Sequence, residues 1–270
     1  MQAASNHAPI RIVQSRQNSR VKELRSALKK GSKNDSGQIA IEGFHLIEEA
    51  LRSDLRVATL FLRSGDHPLL EQLPLSHDTE ILELPADVFA SAVSTESPQG
   101  IAALVEPPTF AMEDAFAAVH PLLAVAVNLQ DPGNFGTLVR SAEAFGAAGV
   151  LAVKPSANIW NPKSLRASSG SAFRLPVAYG DLPVFMNALR SRGIQRLAAT
   201  VDGGAPAQQL DLTQPIALFI GNEGSGLPPE LVNKCDGRIT IPCPGPVESL
   251  NAAIAASILL YEASRQRRVP

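Results

Sequence analysis

The chain has 270 residues, 45% of them hydrophobic, and its 24 basic and 26 acidic side chains leave a formal net charge of −2. That length predicts one large or two ordinary domains with ample apolar material for a core. Cys235 and Cys243 are too few for a disulfide framework and lack metal-like spacing, no apolar run reaches a membrane span, and the start lacks a signal peptide's hydrophobic stretch, so a soluble cytoplasmic protein is expected.

Charge is unevenly spread: the first thirty-five residues carry eight basic side chains, from Arg11 to Lys33, against only Glu23 and Asp35. Within them, Ser19 to Lys30 places Val21, Leu24 and Leu28 on one stripe, the pattern of an arm docked on a domain with its basic side open to phosphates. A solvated helix face explains the same charges. From Gln38 the pattern alternates, with strands at Gln38 to Ile41, Val57 to Leu62, Ile81 to Leu84 and Gly100 to Val105, and a helix from Phe44 to Arg52. This reads as a small α/β domain over residues 1–106. Paired prolines between Glu106 and Asp114 forbid helix and ladder alike, placing a linker at 107–118 and a second domain at 119–270.

The second domain opens on a buried strand, LLAVAVN, after which DPGN turns the chain into a helix with Leu138, Val139, Ala142 and Phe145 on its apolar side. Asn134 is expected as its N-cap. Arg140 lies in its second turn, off the stripe, where a surface salt bridge competes with a functional role. A strand at Gly149 to Val153, a short helix at Asn161 to Ala167 and a strand at Gln195 to Thr200 follow. Ile216 to Ile220 is a buried strand, and after it come a loop with Gly221, Gly224 and Gly226, a short helix and a strand at Arg238 to Ile241. A turn stiffened by Pro242, Pro244 and Pro246 then leads to an apolar helix opening at Ser249, its expected cap.

The glycine spacing is GxxGxG rather than the dinucleotide fingerprint GxGxxG, and no Walker sequence occurs, so phosphate cradling is disfavoured. Glu223 argues the same way, because a carboxylate repels a pyrophosphate. A tight turn with an exposed acid is the plainer alternative. Asn251 is a poor residue for the first turn of a buried helix unless its amide has something to bind. The histidines are scattered and no HExxH, GxSxG or CxxC constellation exists, so neither hydrolytic nor metal chemistry has support.

Three segments in order, 128–150 (NLQDPGNFGTLVRSAEAFGAAGV), 221–227 (GNEGSGL) and 241–251 (IPCPGPVESLN), resemble the motifs of the SpoU/TrmH branch of the SPOUT RNA methyltransferases. The resemblance spans Leu122 to Glu262; Asn128 stands where the family usually carries Asp, and Ala252 where it usually carries Val. It implies an S-adenosylmethionine-dependent RNA ribose 2′-O-methyltransferase of the α/β class. Its C-terminal catalytic domain would be an α/β-knot with a deep trefoil, and its N-terminal domain a smaller RNA-binding α/β unit.

Carried over by motif, Asn134, Arg140, Glu223, Ser249 and Asn251 would serve catalysis, and Thr200, Gly221, Asn222, Ile241 and Leu250 the cofactor. An arginine is effectively never deprotonated, so Arg140 reads as a clamp on an RNA phosphate, oriented by the other four. Relatives dimerise through the catalytic domain, and Leu250 to Tyr261, apolar on nearly every side, needs more cover than one small sheet offers. The attached N-terminal domain favours ribosomal over transfer RNA by association alone. A non-catalytic RNA-binding or ribosome-assembly protein would be expected to lose motif polar residues, and a nicotinamide enzyme needs the missing fingerprint.

Overall fold

The computed structural model describes residues 8–95, 97–246 and 248–267. Glu96, in the loop before the last strand of the first domain, and Val247, in the proline-rich turn, lie outside them. The chain divides into two units: residues up to Thr109 together with Trp160–Arg174, and Phe110–Ile159 together with the chain from Leu175. The segment Trp160–Arg174, expected with the second domain, thus belongs with the first.

The first unit contains β1 (Ile10–Ile12), α1 (Ser19–Lys30), β2 (Ile39–Glu42), α2 (Phe44–Arg52), β3 (Val57–Arg63), α3 (His67–Leu70), β4 (Glu80–Leu84), α4 (Ala86–Ala92) and β5 (Ile101–Val105). Its sheet runs β1-β4-β3-β5-β2, with β5 antiparallel to both neighbours and the other pairs parallel. Helix α1 is part of the core rather than an arm: Val21, Leu24 and Leu28 are buried in one cluster with Phe61, Leu82 and Phe89. Its stripe is wide enough to bury fully, which fixes the helix against the sheet.

The basic residues there fall into two groups. Arg16 pairs with Asp87, Arg20 with Glu23 and Glu80, and Arg25 donates from Nε to the Ser91 carbonyl at 2.7 Å. Lys22, Lys29, Lys30 and Lys33 are exposed and have no ion-pair partner among the described residues.

The second unit contains β6 (Leu122–Val127), α5 (Pro132–Ala144) and β7 (Gly149–Val153); α6 (Pro162–Ser168) is the helix that packs with the first unit. There follow β8 (Val177–Gly180), α7 (Leu182–Ser191), β9 (Gln195–Ala199), β10 (Ala205–Pro206), β11 (Ile216–Ile220), α8 (Pro229–Val232), β12 (Gly237–Thr240) and α9 (Ala252–Arg267). Every residue of β6, β7 and β11 is buried, as unbroken apolar runs in a parallel sheet covered on both faces require. The order is β10-β12-β9-β11-β6-β7-β8, all parallel. Helix α9 is anchored at its far end by Arg267, which donates to the carbonyls of Leu212 at 2.8 Å and His120 at 2.7 Å, and also to that of Gln214. No helix among the described residues is long and apolar enough to cross a membrane.

Candidate active site

Ligands of open parallel sheets bind beyond the carboxyl ends of the strands, where the strand order reverses. In the second unit that point lies between β6 and β11, whose ends run side by side with Ile220 opposite Ala126. Just past β6, Asn128 adopts a left-handed conformation, φ 55°, which asparagine tolerates better than most residues, and its carbonyl accepts from Asn222 Nδ2 at 2.9 Å.

Helix α5 is capped by Asp131, whose side chain accepts from Asn134 N at 2.8 Å. Asn134 is therefore not the cap but the third helical residue, with its amide free to reach elsewhere. Its Nδ2 donates to Glu223 Oε1 at 3.1 Å, and its Oδ1 accepts from Asn251 Nδ2 at 3.0 Å. Glu223 accepts two more bonds, from Asp131 N and from Asn222 Nδ2, each at 3.2 Å.

Asn251 completes the line while capping α9: its Oδ1 accepts from Ala253 N at 2.9 Å and Ile254 N at 3.2 Å. The helix accordingly opens at Ala252 and not at Ser249, which is exposed and bonded to none of these groups. Of two cap-competent residues, the one that also satisfies Asn134 takes the position.

The glycine loop folds on itself. Asn222 N and O bond Gly226 O and N at 3.1 and 2.9 Å, and Asn222 Oδ1 accepts from Gly224 N at 2.9 Å and Ser225 N at 3.1 Å. With its amide nitrogen also engaged, Asn222 braces the loop and aims Glu223. Gly221 is buried, and a Cβ there would lie 2.3 Å from Gly226 C and 2.5 Å from Leu227 N. Only glycine lets the loop close so tightly.

Thr200, Gly221 and Ile241 directly follow or lie one residue beyond the adjacent strands β9, β11 and β12, so their loops share one edge. Thr200 Oγ1 is buried without a hydrogen-bond partner among the described residues. Ile241 and Leu250 are half-buried beside the irregular prolines. An orphaned hydroxyl and backbone-lined loops fit a polar, extended cofactor.

Arg140 stands apart. It is exposed, in the third turn of a helix that opens at Pro132, and makes no hydrogen bond or ion pair among the described residues. Neither the surface salt bridge nor an orienting bond from Asn134, Glu223, Ser249 or Asn251 is present among the described residues. Ser141 faces α9 instead, its Oγ 2.7 Å from Ser257 Oγ. Burial pushes the Cys235 thiol up to about 11, against its ionisation, and the described residues hold no cluster fit for a metal ion.

The SpoU rRNA Methylase family profile matches residues 121–261, the stretch that carries this network. The chain belongs to that family. An MRM3-like substrate binding domain matches residues 18–103. Among curated relatives, the 23S rRNA (guanosine(2553)-2′-O)-methyltransferase RlmP of Bacillus subtilis strain 168 is 34% identical over 251 residues, 92% of this chain and 97% of its own. Among solved structures, the AdoMet-bound rRNA methyltransferase of Sinorhizobium meliloti has a TM-score of 0.83 at 29% identity, over 96% of this chain and 99% of that one. The SpoU methyltransferase AviRb of Streptomyces viridochromogenes reaches 0.78 at 30% identity, over 93% and 98%.

Neither Asp131 nor Asn128 carries a role in the sequence-based expectations for this site, although both belong to its hydrogen-bond network. The Asp-Pro pair was the available signal, since Asp at an N-cap followed by Pro at the first helical position is the favoured helix start. The double duty of Asn251 has a direct test. Asn251→Asp keeps the capping oxygen and removes the donor to Asn134, so melting temperature should stay near that of the natural chain while turnover falls at least tenfold, the scale for one oriented hydrogen bond. Loss of both together would make Asn251 a cap and nothing more.

Proposed function

We propose that this SpoU-family chain transfers the methyl group of S-adenosylmethionine to a ribose 2′-hydroxyl of ribosomal RNA, with chemistry in the second unit and RNA capture in the first. The observation that carries the reading is the Glu223–Asn134–Asn251 line at the reversal point of a parallel sheet, beside the Gly221 loop. Its alignment along 92% of the chain with a 23S rRNA 2′-O-methyltransferase supports the same substrate. The polypeptide between β11 and α9 forms the trefoil knot of the family, a rare topology that local periodicity does not announce.

The cofactor would supply an electrophilic methyl on a sulfonium, whose sulfur would leave with the bonding pair as a neutral thioether. Thr200, Gly221, Ile241 and Leu250 would hold it, mainly through backbone groups, with the Thr200 hydroxyl gaining a partner. Aligning the hydroxyl in line with the methyl is the chain's main task. Asn134 and Asn251, fixed through Glu223, hold the ribose. The Arg140 guanidinium clamps an RNA phosphate and stabilises the charge that develops on the attacking oxygen, and the proton leaves through that phosphate or water. Incubating the chain with methyl-labelled cofactor and, separately, ribosomal and transfer RNA from cells lacking it should give alkali-resistant labelled dinucleotides from the ribosomal RNA. Label in transfer RNA alone would move the substrate, and label in neither would sink the reading.

The active form is a cytoplasmic homodimer. Ile254, Ile258 and Tyr261 are 53%, 38% and 53% exposed at helical spacing along α9, an apolar stripe that a second copy covers. Sedimentation at micromolar concentration should give a dimer and Ile258→Asp a folded monomer; a monomeric natural chain would contradict the assignment. The first unit binds phosphates through Lys22, Lys29, Lys30 and Lys33, whereas Arg25 is held by the Ser91 carbonyl. Changing those four lysines to Gln should flatten the salt dependence of RNA binding by several counterions, with cofactor affinity unchanged. An unaltered slope would leave them as solvation.

A further inference from the structure

The first unit contains a cavity of about 240 Å³ between the end of β2, the start of α2, the loop before β5 and helix α6. Gly43, at φ +100°, turns the chain from β2 into α2 beneath Gln99, whose Oε1 accepts from Phe44 N at 3.0 Å. That bond leaves the Gln99 NH2 without a partner among the described residues. Glu42 lines the cavity with its residue only 8% exposed. Its carboxylate accepts from Thr95 Oγ1 and, at 3.4 Å, from Ser94 N, and no cation lies within ion-pair distance among the described residues. A carboxylate this deeply buried is costly unless further donors reach it. Leu46 supplies an apolar wall, and Arg166 of α6 lines the cavity with its guanidinium unpaired among the described residues.

We propose that this cavity takes one unstacked guanosine of the RNA strand, with Glu42 and Gln99 reading its base and Arg166 its phosphate. Guanine alone among the four bases presents two adjacent N–H donors, N1 and N2, beside an acceptor, O6. The two donors match the open lone pairs of Glu42, and O6 matches the free Gln99 amide. Uracil offers one donor between two acceptors, and adenine and cytosine set a bare ring nitrogen against the carboxylate. Unpaired bases held on their Watson–Crick edge are the usual carriers of sequence information in RNA recognition, and a guanidinium is suited to the phosphate. The assignment rests on the RNA reading above, but its site lies in the other unit from the methyl-transfer residues.

The test uses the full chain and fluorescent heptamers of uridine with a central guanosine, inosine or adenosine. Guanosine should bind about tenfold tighter than adenosine, the scale of one well-made base-edge contact. Inosine, which lacks only the N2 amino group, should lose most of that advantage on the unaltered protein. Glu42→Gln should bring guanosine and adenosine to parity while leaving the all-uridine strand unchanged. Arg166→Ala should weaken every strand alike and lower the salt slope by about one. Should Glu42→Gln melt prematurely, the inosine comparison carries the test without it. Equal affinity for guanosine and inosine, or a guanosine preference that survives Glu42→Gln, would overturn the proposal, as would free guanosine monophosphate binding as tightly as the heptamer. Calorimetry with S-adenosylmethionine separates the two readings: cofactor binding without guanosine preference removes this inference alone, and preference without cofactor binding removes the methyltransferase reading.

Discussion

Arg140→Ala should lower turnover by about a hundredfold or more, the scale for loss of an oriented donor that stabilises developing charge, with S-adenosylmethionine affinity close to that of the natural chain. Stability should hardly move. Arg140 is exposed and bonded to nothing among the described residues, and surface substitutions of that kind stay within about 0.5 kcal/mol. This combination is diagnostic, because a structural arginine would lose stability first. Arg140→Lys should not restore the rate, since an ammonium lacks the planar fork that grips a phosphate in two places. Single-turnover kinetics with saturating RNA provide the measurement. Full activity in Arg140→Ala would remove the residue from the mechanism.

Gly221→Val should abolish cofactor binding by calorimetry, and the geometry gives a reason that lies in the chain itself. A Cβ at 221 would stand 2.3 Å from Gly226 C, so the loop must open whether or not a ligand is near. Even Gly221→Ala should therefore destabilise the cofactor-free protein, by about 1–3 kcal/mol, the usual cost of overpacking. If glycine served only to let the backbone approach a ligand, the cofactor-free melting temperature would stay unchanged. An unchanged melting temperature with lost binding would restore that simpler account.

Elements with a single clean periodicity were legible. Helices Ser19–Lys30 and Phe44–Arg52 and strand Ile216–Ile220 fall where the apolar pattern places them. Less was visible where local signals conflict. Helix α7 carries Pro183 in its first turn, which reads as a breaker although proline is tolerated there, and the strand before it, β8, is partly exposed. Strand β1 is three exposed residues, too short for alternation to register. Caps slipped for a common reason. Asp131 and Asn134 on α5, and Ser249 and Asn251 on α9, are all competent caps, and the choice between them is made by contacts between elements distant in sequence. The same holds for Trp160–Arg174, whose short helix is chosen by the first unit through packing.

The sequence did not announce how the motif residues are wired to one another. Motif residues Asn134, Glu223 and Asn251 do meet, whereas Ser249 and Arg140 lie outside their hydrogen bonds. Asn222, expected at the cofactor, uses every polar group on the loop and on Asn128. Which groups remain free after the fold has satisfied itself is a tertiary fact, and among the described residues Thr200 Oγ1 and the Arg140 guanidinium are two such groups.

The most direct test of the account is a map of ribose methylation across the ribosomal RNA of cells from which this chain has been deleted. The account predicts that one 2′-O-methyl group disappears, returns when the natural chain is supplied, and fails to return with Arg140→Ala. A methylation map identical with and without the chain would contradict it.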